Sequence, residues 1–248
     1  MLEKIDKLVV SIVSHGHIYQ VQNLLEQLAK TSGSSVTRVV VTHNIPEHAV
    51  REPSGGWPFE LQIRCNSKPY GFGLNHNIAL QGSTEPFVCV LNPDVILISG
   101  QDPFAVMLQA ASEHNVGCVY PQQIDERGKL QDSERALPTP GALWRRWILG
   151  CSEDRVDWVN AACMVIPLKS WQVVGGFDER YFMYCEDVDL CLRLRLKGLT
   201  LVKVSVSIIH AGKRDSHRRF RNFFWHVSSL LRLWSSDVYR RMRVLSDL

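Results

Sequence analysis

The chain has 248 residues, 45% of them hydrophobic and 21% charged, with a formal net charge of +3. These values fit one α/β domain at the upper end of what a single core supports, and they exclude a disordered, collagen-like or repeat protein. The charge is uneven: residues 213–248 hold nine Lys and Arg against three Asp, a net of +6, which leaves −3 for residues 1–212.

In chain order, KLVVSIVSHG is a β-branched run ending in small and polar residues. HIYQVQNLLEQLAKTSG follows with Val21, Leu24, Leu25 and Leu28 at helical spacing, so a strand and then a helix are predicted. VTRVVVTHN predicts a second strand after a Ser/Gly turn, and ELQIRCNS a third. GFGLNHNIALQGS starts a helix after glycines, and EPFVCVLNPDVIL is another buried strand. Strands alternating with helices at this spacing predict a doubly wound, mostly parallel sheet. Next, DPFAVMLQAASEH reads as a helix and NVGCVYPQQI as a strand. DERGKLQDSERALPTPGALWRRWILG is a long polar segment with proline punctuation, of the kind that forms lids and binding loops. DWVNAACMVIP and GLTLVKVSVSIIHAG predict further strands. The chain is expected to finish in an amphipathic helix from about Phe220 to Trp234, on the spacing of Phe223, Phe224, Val227, Leu230, Leu231 and Trp234.

The start, MLEKIDKLVVSIVSHGH, lacks the basic opening and cleavage site of a signal peptide, so a cytoplasmic location is expected. No window approaches the roughly 18 uninterrupted apolar residues of a membrane span. Seven cysteines without a Cys-x-x-Cys pair argue for buried free thiols against a disulfide framework or structural zinc. A basic tail on an acidic body suggests an anionic partner, a phosphate-bearing ligand or a lipid surface.

Four stretches can carry chemistry. LNPDV ends a strand, where open α/β sheets gather ligands, and Asn92 and Asp94 can present oxygens to Mg²⁺ or Mn²⁺; Asn-Pro-Asp is also ordinary turn chemistry. PYGFGLNHN opens a helix with Gly71 and Gly73, which permit close approach to the backbone, and a helix start favours an anion. GGFDERYFMYCEDVDLCLRLRLKG sets Glu186 and Asp187 at a helix start behind Tyr181, Phe182, Met183 and Tyr184. Acids there complement the helix dipole, and an apolar wall also raises a carboxylate's pKa and makes it a better base. IIHAGKRDSHRR places His210 at a strand end, with Lys213, Arg214, Arg218 and Arg219 behind it to neutralise a diphosphate.

Together and in this order, these pieces resemble the inverting glycosyltransferases of family 2, which have the GT-A fold, and among them the bacterial rhamnosyltransferases of O-antigen and related polysaccharide assembly. The stretches that carry the likeness are VSIVSHGH, YGFGLNHNIAL, FVCVLNPDVIL, VDWVNAACMVI, GFDERYFMYCEDVDLCLRLRLKG and IIHAGKRDSHRRFRNFFWH, from about Lys7 to about Trp234. The resemblance implies an α/β, Rossmann-like, mostly parallel mixed sheet flanked by helices, with a C-terminal amphipathic helix. A transferase domain would span 1–212, with its nucleotide-sugar half over 1–100 and its acceptor and catalytic half over 101–212. A basic helical extension would follow over 213–248. Asp94 corresponds to the metal-binding acid of the family's Asp-x-Asp motif, Asn92 replaces its first Asp, and His210 resembles the histidine that completes the site for Mg²⁺ or Mn²⁺. Asp187 resembles the catalytic base, with Glu186 as its neighbour or substitute. Ser14, His15, Gly16, His43 and Asn44 resemble the nucleotide pocket, and Gly71, Gly73, Asn75, Asn92, Lys213 and Arg214 extend the nucleotide-sugar site. One departure concerns the base: where the family often has an Asp on the pyrimidine, this chain has His43.

The implied reaction is transfer of L-rhamnose from dTDP-L-rhamnose to an undecaprenyl-diphosphate-linked sugar at the inner face of the cytoplasmic membrane. Alternatives are a family-2 transferase using another nucleotide sugar, such as a UDP-hexose, and a non-catalytic homologue that binds a partner. Nucleic acid is not an expected partner, because the basic and aromatic residues are confined to one terminal helix. For that helix two readings stand. Either Phe223, Phe224, Trp225 and Trp234 enter a headgroup region while Arg219, Arg221 and Arg232 meet anionic lipid, or the helix packs on the domain or on a second subunit in a homodimer.

Overall fold

The computed structural model describes residues 7–149, 155–211 and 219–246. Its first strand, β1 (Leu8–Ser14), is buried on both faces, which is why its sequence is a near-continuous apolar run and not an alternating one. α1 (Ile18–Ser32) buries Val21, Leu24, Leu25 and Leu28 along one stripe. The chain then steps outward through β2 (Val36–His43) to β3 (Glu60–Cys65), each parallel to its neighbour. β3 is the exposed edge, and its Glu60, Gln62 and Arg64 discourage pairing with another sheet.

α2 (Phe72–Leu80) brings the chain back to the other side of β1, where β4 (Phe87–Leu91) pairs with it in parallel. The direction of travel thus reverses between β1 and β4, which creates a ligand-binding crevice beyond their carboxyl ends. The apolar run expected as one strand is broken there into β4 and β5 (Val95–Leu97). Pro93 has no N–H for a ladder, the Asn92 N–H is taken by the Ala162 carbonyl (2.8 Å), and the Asn92 carbonyl closes a turn with the Val95 N–H (3.2 Å).

α3 (Pro103–Ala111) is capped by Asp102, whose Oδ1 accepts the Phe104 and Ala105 N–H groups, and Pro103 opens the helix. After β6 (Val116–Ile124), the long polar segment carries β7 (Glu134–Arg135) and α4 (Pro140–Leu149), and β7 pairs with β8 (Trp158–Val159). β9 (Cys163–Pro167) is inserted antiparallel between β4 and β6. α5 (Leu168–Val174) and α6 (Glu186–Leu196) follow, and β10 (Thr200–His210) lies parallel to β6 and antiparallel to β5. The order β3-β2-β1-β4-β9-β6-β10-β5 is a mostly parallel mixed sheet, as expected.

Alternate residues of β1 feed two cores. Leu8, Val10 and Ile12 pack with the apolar faces of α1 and α3, while Val9 joins residues of α2, α5 and α6. The chain ends in two helices where one was expected, α7 (Arg219–Trp234) and α8 (Asp237–Ser246). The Ser236 hydroxyl accepts the Tyr239 N–H (3.1 Å), and α8 buries Tyr239 and Met242 in the second core beside α6. Among the described residues, no helix is long and apolar enough to cross a membrane, and six cysteines are free thiols, five of them buried.

Candidate active site

At the carboxyl end of β1, the Ser14 hydroxyl donates to Glu47 Oε2 (2.8 Å) and the Gly16 N–H donates to Glu47 Oε1 (3.0 Å). Gly16 has φ 86°, a left-handed geometry that glycine adopts at no steric cost. At the end of β2, His43 Nδ1 lies 3.9 Å from the same, nearly buried, Glu47 carboxylate. Asn44 acts like a length of backbone: its Oδ1 accepts the Tyr70 N–H (2.8 Å) and its Nδ2 donates to the Tyr70 carbonyl (3.0 Å). That Nδ2 is also 3.3 Å from His15 Nδ1. Asn66 donates to Asn44 and Asn75, and the buried Asn75 donates to the carbonyls of Tyr70 and Gly71.

Gly71 and Gly73 differ from expectation. A Cβ on Gly71 would lie 2.7 Å from the Phe182 carbonyl oxygen, and one on Gly73 would lie 2.7 Å from Phe177 Cβ. The close approach that these glycines permit is made by the chain's own 177–182 segment, and the Phe72 N–H donates to the Phe182 carbonyl (2.9 Å). The loop between β3 and α2 is thereby tied to the segment that precedes α6.

The break between β4 and β5 leaves Asp94 at the crevice, and the β5–β10 pairing sets Val95 against His210. His210 Nε2 lies 3.5 Å from Asp94 Oδ2. Burial acts to raise the Asp94 pKa, but the His210 imidazole beside it, with His17 nearby, outweighs burial and holds the carboxyl below its usual range. Gln131 fixes the imidazole from behind: its Nε2 donates to the His210 carbonyl (2.7 Å) and its Oε1 lies 3.2 Å from His210 Nδ1. In the neutral ring with Nδ1–H toward Gln131, Nε2 presents its lone pair toward Asp94, as in metal-binding histidines oriented by an outer partner. An ionised carboxylate and an imidazole nitrogen facing each other fit a divalent cation. Among the described residues no group of three or more His, Cys, Asp or Glu converges on one point, so water and substrate oxygens would complete the coordination.

Glu186 and Asp187 open α6 behind a strained turn. Tyr184 and Cys185 have φ of 71° and 64°, a region costly for any residue with a Cβ. α7 holds the turn in place: Phe182 packs on Trp225 (centroids 4.9 Å apart), Tyr184 packs on His226 (5.1 Å), and the Ser229 hydroxyl donates to the Met183 carbonyl (2.8 Å). From within α6, Arg193 pairs with Asp189 (2.6 Å) and donates to the carbonyls of Val174 and Gly176. Burial pushes Asp187 up to about 6, against the pull of the Val188 N–H, the Arg135 guanidinium and the Ala161 N–H. Burial, and then the Asp187 charge, raise Glu186 as well. The Ala161 N–H thus lies close enough to act on the Asp187 carboxylate, while the next carbonyl, Ala162, accepts the Asn92 N–H at the Asp94 turn.

No protein-family model matches the chain. It is 29% identical to the rhamnosyltransferase WbbL of Escherichia coli (strain K12), over 96% of this chain and 94% of that protein. It is 32% identical to the N-acetylglucosaminyl-diphospho-decaprenol L-rhamnosyltransferase of Mycobacterium tuberculosis (strain ATCC 25618 / H37Rv), over 60% of this chain and 57% of that protein. The mannosyltransferase PcManGT of Pyrobaculum calidifontis, solved in complex with GDP-Man and Mn²⁺, has a TM-score of 0.63 at 16% identity, covering 91% of this chain and 64% of that one. The chain thus has the GT-A fold and is similar over nearly its whole length to a rhamnosyltransferase.

In this fold the carboxyl ends of the strands carry Ser14, His15, Gly16, His43 and Asn44 at the ends of β1 and β2, Asn92 and Asp94 after β4, and His210 at the end of β10. Glu186 and Asp187 stand at the start of α6, Glu186 buried and Asp187 partly exposed. Lys213 and Arg214 lie outside the described residues. Sequence reasoning missed Glu47, Asn66, Gln131, Arg135 and Ser229. Arg135 lies 5.3 Å over the Trp158 ring and acts electrostatically on Asp187. Each of the five is a single polar or charged residue in a loop, a two-residue ribbon or a terminal helix. The available signal was only that THNIPE and CNSKPYG are polar loops directly following strands.

Proposed function

We propose that the chain is an inverting, divalent-cation-dependent transferase that moves L-rhamnose from dTDP-L-rhamnose to a sugar carried on undecaprenyl diphosphate at the inner face of the cytoplasmic membrane. The observation that carries this reading is the placement of Asp187, ionised above about pH 6, beside the Ala161–Ala162 backbone that anchors the Asp94 turn. Two relatives bearing the name rhamnosyltransferase support the sugar, and the N-acetylglucosaminyl-diphospho-decaprenol in the name of one supports the acceptor class.

Glu186 and Asp187 titrate as a pair. Burial and the Asp187 charge raise Glu186 well above the usual carboxylate range, so Asp187 is the member that ionises more readily. Asp187 takes the proton of the acceptor hydroxyl, and that oxygen attacks the anomeric carbon from the face opposite the diphosphate. The bond to the diphosphate breaks, its electron pair leaves with the nucleotide, and a β-linked donor gives an α-rhamnoside. Asp94 and His210 would hold the cation, whose chemistry is to stabilise charge on the departing diphosphate. Ser14 to Gly16, His43 and Asn44 line the nucleotide side. Glu47 supplies a carboxylate next to His43, where the family often has an Asp.

Thermal unfolding with a panel of donors tests the reading. With Mn²⁺ or Mg²⁺ present, dTDP-L-rhamnose is expected to raise the melting temperature, while UDP-glucose, UDP-galactose and GDP-mannose leave it unchanged. Stabilisation by a UDP-hexose instead would replace the donor. No stabilisation by any of the four would overturn the nucleotide-sugar reading.

A further inference from the structure

α7 presents two apolar faces. Ser229, Leu230 and Leu233 are buried against the domain, whereas Phe223, Phe224, Val227 and Leu231 are 64%, 76%, 38% and 56% exposed. Phe223 and Phe224 lie four and three residues before Val227, and Leu231 lies four after it, so they form one stripe along the helix. With Arg180 and Arg232 they line a groove of about 640 Å³. A contiguous apolar surface of this kind, rimmed by charge, marks a binding site. The same helix supports the strained turn before Asp187 through Trp225, His226 and Ser229, so the groove adjoins the catalytic segment.

The occupant must combine a hydrocarbon chain with negative charge. Arg180 is two-thirds exposed, even though it pairs with Asp178 (2.6 Å), and Arg232 is exposed as well. A second copy fits poorly, because a two-fold contact through this stripe would bring each copy's arginines toward the other's. A flat bilayer surface does not fill a groove. We propose that this groove holds the first isoprene units of the polyprenyl-diphosphate acceptor, with the phosphates toward Arg180 and Arg232. The inference rests on the acceptor class proposed above. From Phe223 to Leu231 the helix rises about 12 Å, enough for the start of the chain and not for all of it.

The test compares two acceptors, N-acetylglucosaminyl diphosphate esterified to farnesol or to methanol, below the concentration at which the farnesyl compound aggregates. The whole chain is expected to use the farnesyl acceptor with kcat/KM at least about tenfold higher, on the scale of a buried hydrocarbon segment. In Phe224→Ser with Leu231→Ser that preference is expected to fall to about two- to threefold. Val173→Ser removes an exposed apolar side chain on α5 and should keep it. Melting temperatures of all variants show that they are folded.

Equal use of both acceptors by the wild type, or an undiminished preference in the double variant, overturns the groove. A dimer that the double variant dissociates would assign the stripe to a second copy. Lost flotation on phosphatidylglycerol vesicles with the acceptor preference intact would assign it to the bilayer, and each of these two results also overturns the proposal. No transfer by the wild type to either acceptor fails the acceptor class itself and takes the groove with it. Loss of the preference alone leaves that class standing.

Discussion

Asp187 and Glu186 share a helix start but not an environment. Glu186 is buried, and its Oε2 finds no hydrogen-bond partner among the described residues, whereas Asp187 Oδ1 accepts the Val188 N–H (2.8 Å). The rate kcat is therefore expected to rise with pH through about 6, as Asp187 loses its proton, and then to level off. Asp187→Asn should lower kcat by about 10²- to 10⁴-fold, the usual worth of a general base. The same residue carries a stability cost. Its folded pKa lies above the ordinary aspartate value, so the folded state binds the proton more tightly than the unfolded one. Stability present below about pH 4 is lost as pH rises through 6. Asp187→Asn should therefore be more stable than wild type at pH 7.5, by about 1–3 kcal/mol, and nearly equal to it at pH 4. Melting curves at the two pH values decide this, and a variant less stable at pH 7.5 would contradict it. Asp187 was legible because its acidic neighbour and aromatic run are contiguous in sequence. Glu47 and Gln131 were not, because their partners Ser14 and His210 lie 33 and 79 residues away.

Element by element, the strands with β-branched runs were legible, and so was the start of α7. Helical spacing could not say that α7 has two apolar stripes, one packed and one open. α8 was missed because Val238, Tyr239 and Met242 are its sparse apolar face among Arg240, Arg241 and Arg243. α5 is only seven residues long, too short for a periodic signal. α2 gives the sharpest prediction at this scale. His76 is fully buried, its Nδ1 lies 2.8 Å from the Ser11 hydroxyl of β1, and burial pushes its pKa down to about 3. A histidine lowered on folding stabilises the protein above about 6.5, and that contribution is lost as pH falls from 6.5 toward 3. Within that window the loss approaches about 1.4 kcal/mol per pH unit. Because Asp187 gains stability as the pH falls through the same window, His76 is read by difference, and wild-type urea midpoints measured from pH 7 to pH 4 should fall relative to those of His76→Gln. His76→Gln cannot titrate at this position, so its midpoints should lose less, or gain more, over that range even if its starting stability is lower. Equal slopes would mean that His76 is not the buried neutral group that ties α2 to β1.

For the whole molecule, the order of elements made the α/β class legible, but not the antiparallel insertion of β9 between β4 and β6. That insertion follows from pairings between residues about 75 apart, such as Cys89 with Val165, which no local pattern encodes. It also makes the crevice a meeting of distant segments: β1 and β4 from the first hundred residues, and α6 and β10 from the last. A ligand bound there ties these segments together and should stabilise the fold as one unit, by about 2.7 kcal/mol at a hundred times its dissociation constant. Gln131 tests whether the cation belongs to that junction. It neither bears charge nor faces Asp94, yet it orients the imidazole of His210. If His210 is a ligand, Gln131→Ala leaves the ligand present but loosely aimed, which typically weakens metal binding by about 10- to 100-fold. The Mn²⁺ concentration that half-saturates donor-dependent stabilisation should rise by that factor, with the full melting shift recovered at saturating Mn²⁺. His210→Ala should lose more of the shift, and Asp94→Asn should abolish the Mn²⁺ dependence. An unchanged Mn²⁺ midpoint in Gln131→Ala, alongside a melting temperature near that of the wild type without ligand, would remove His210 from the metal site and leave Asp94 to hold the cation with the diphosphate alone.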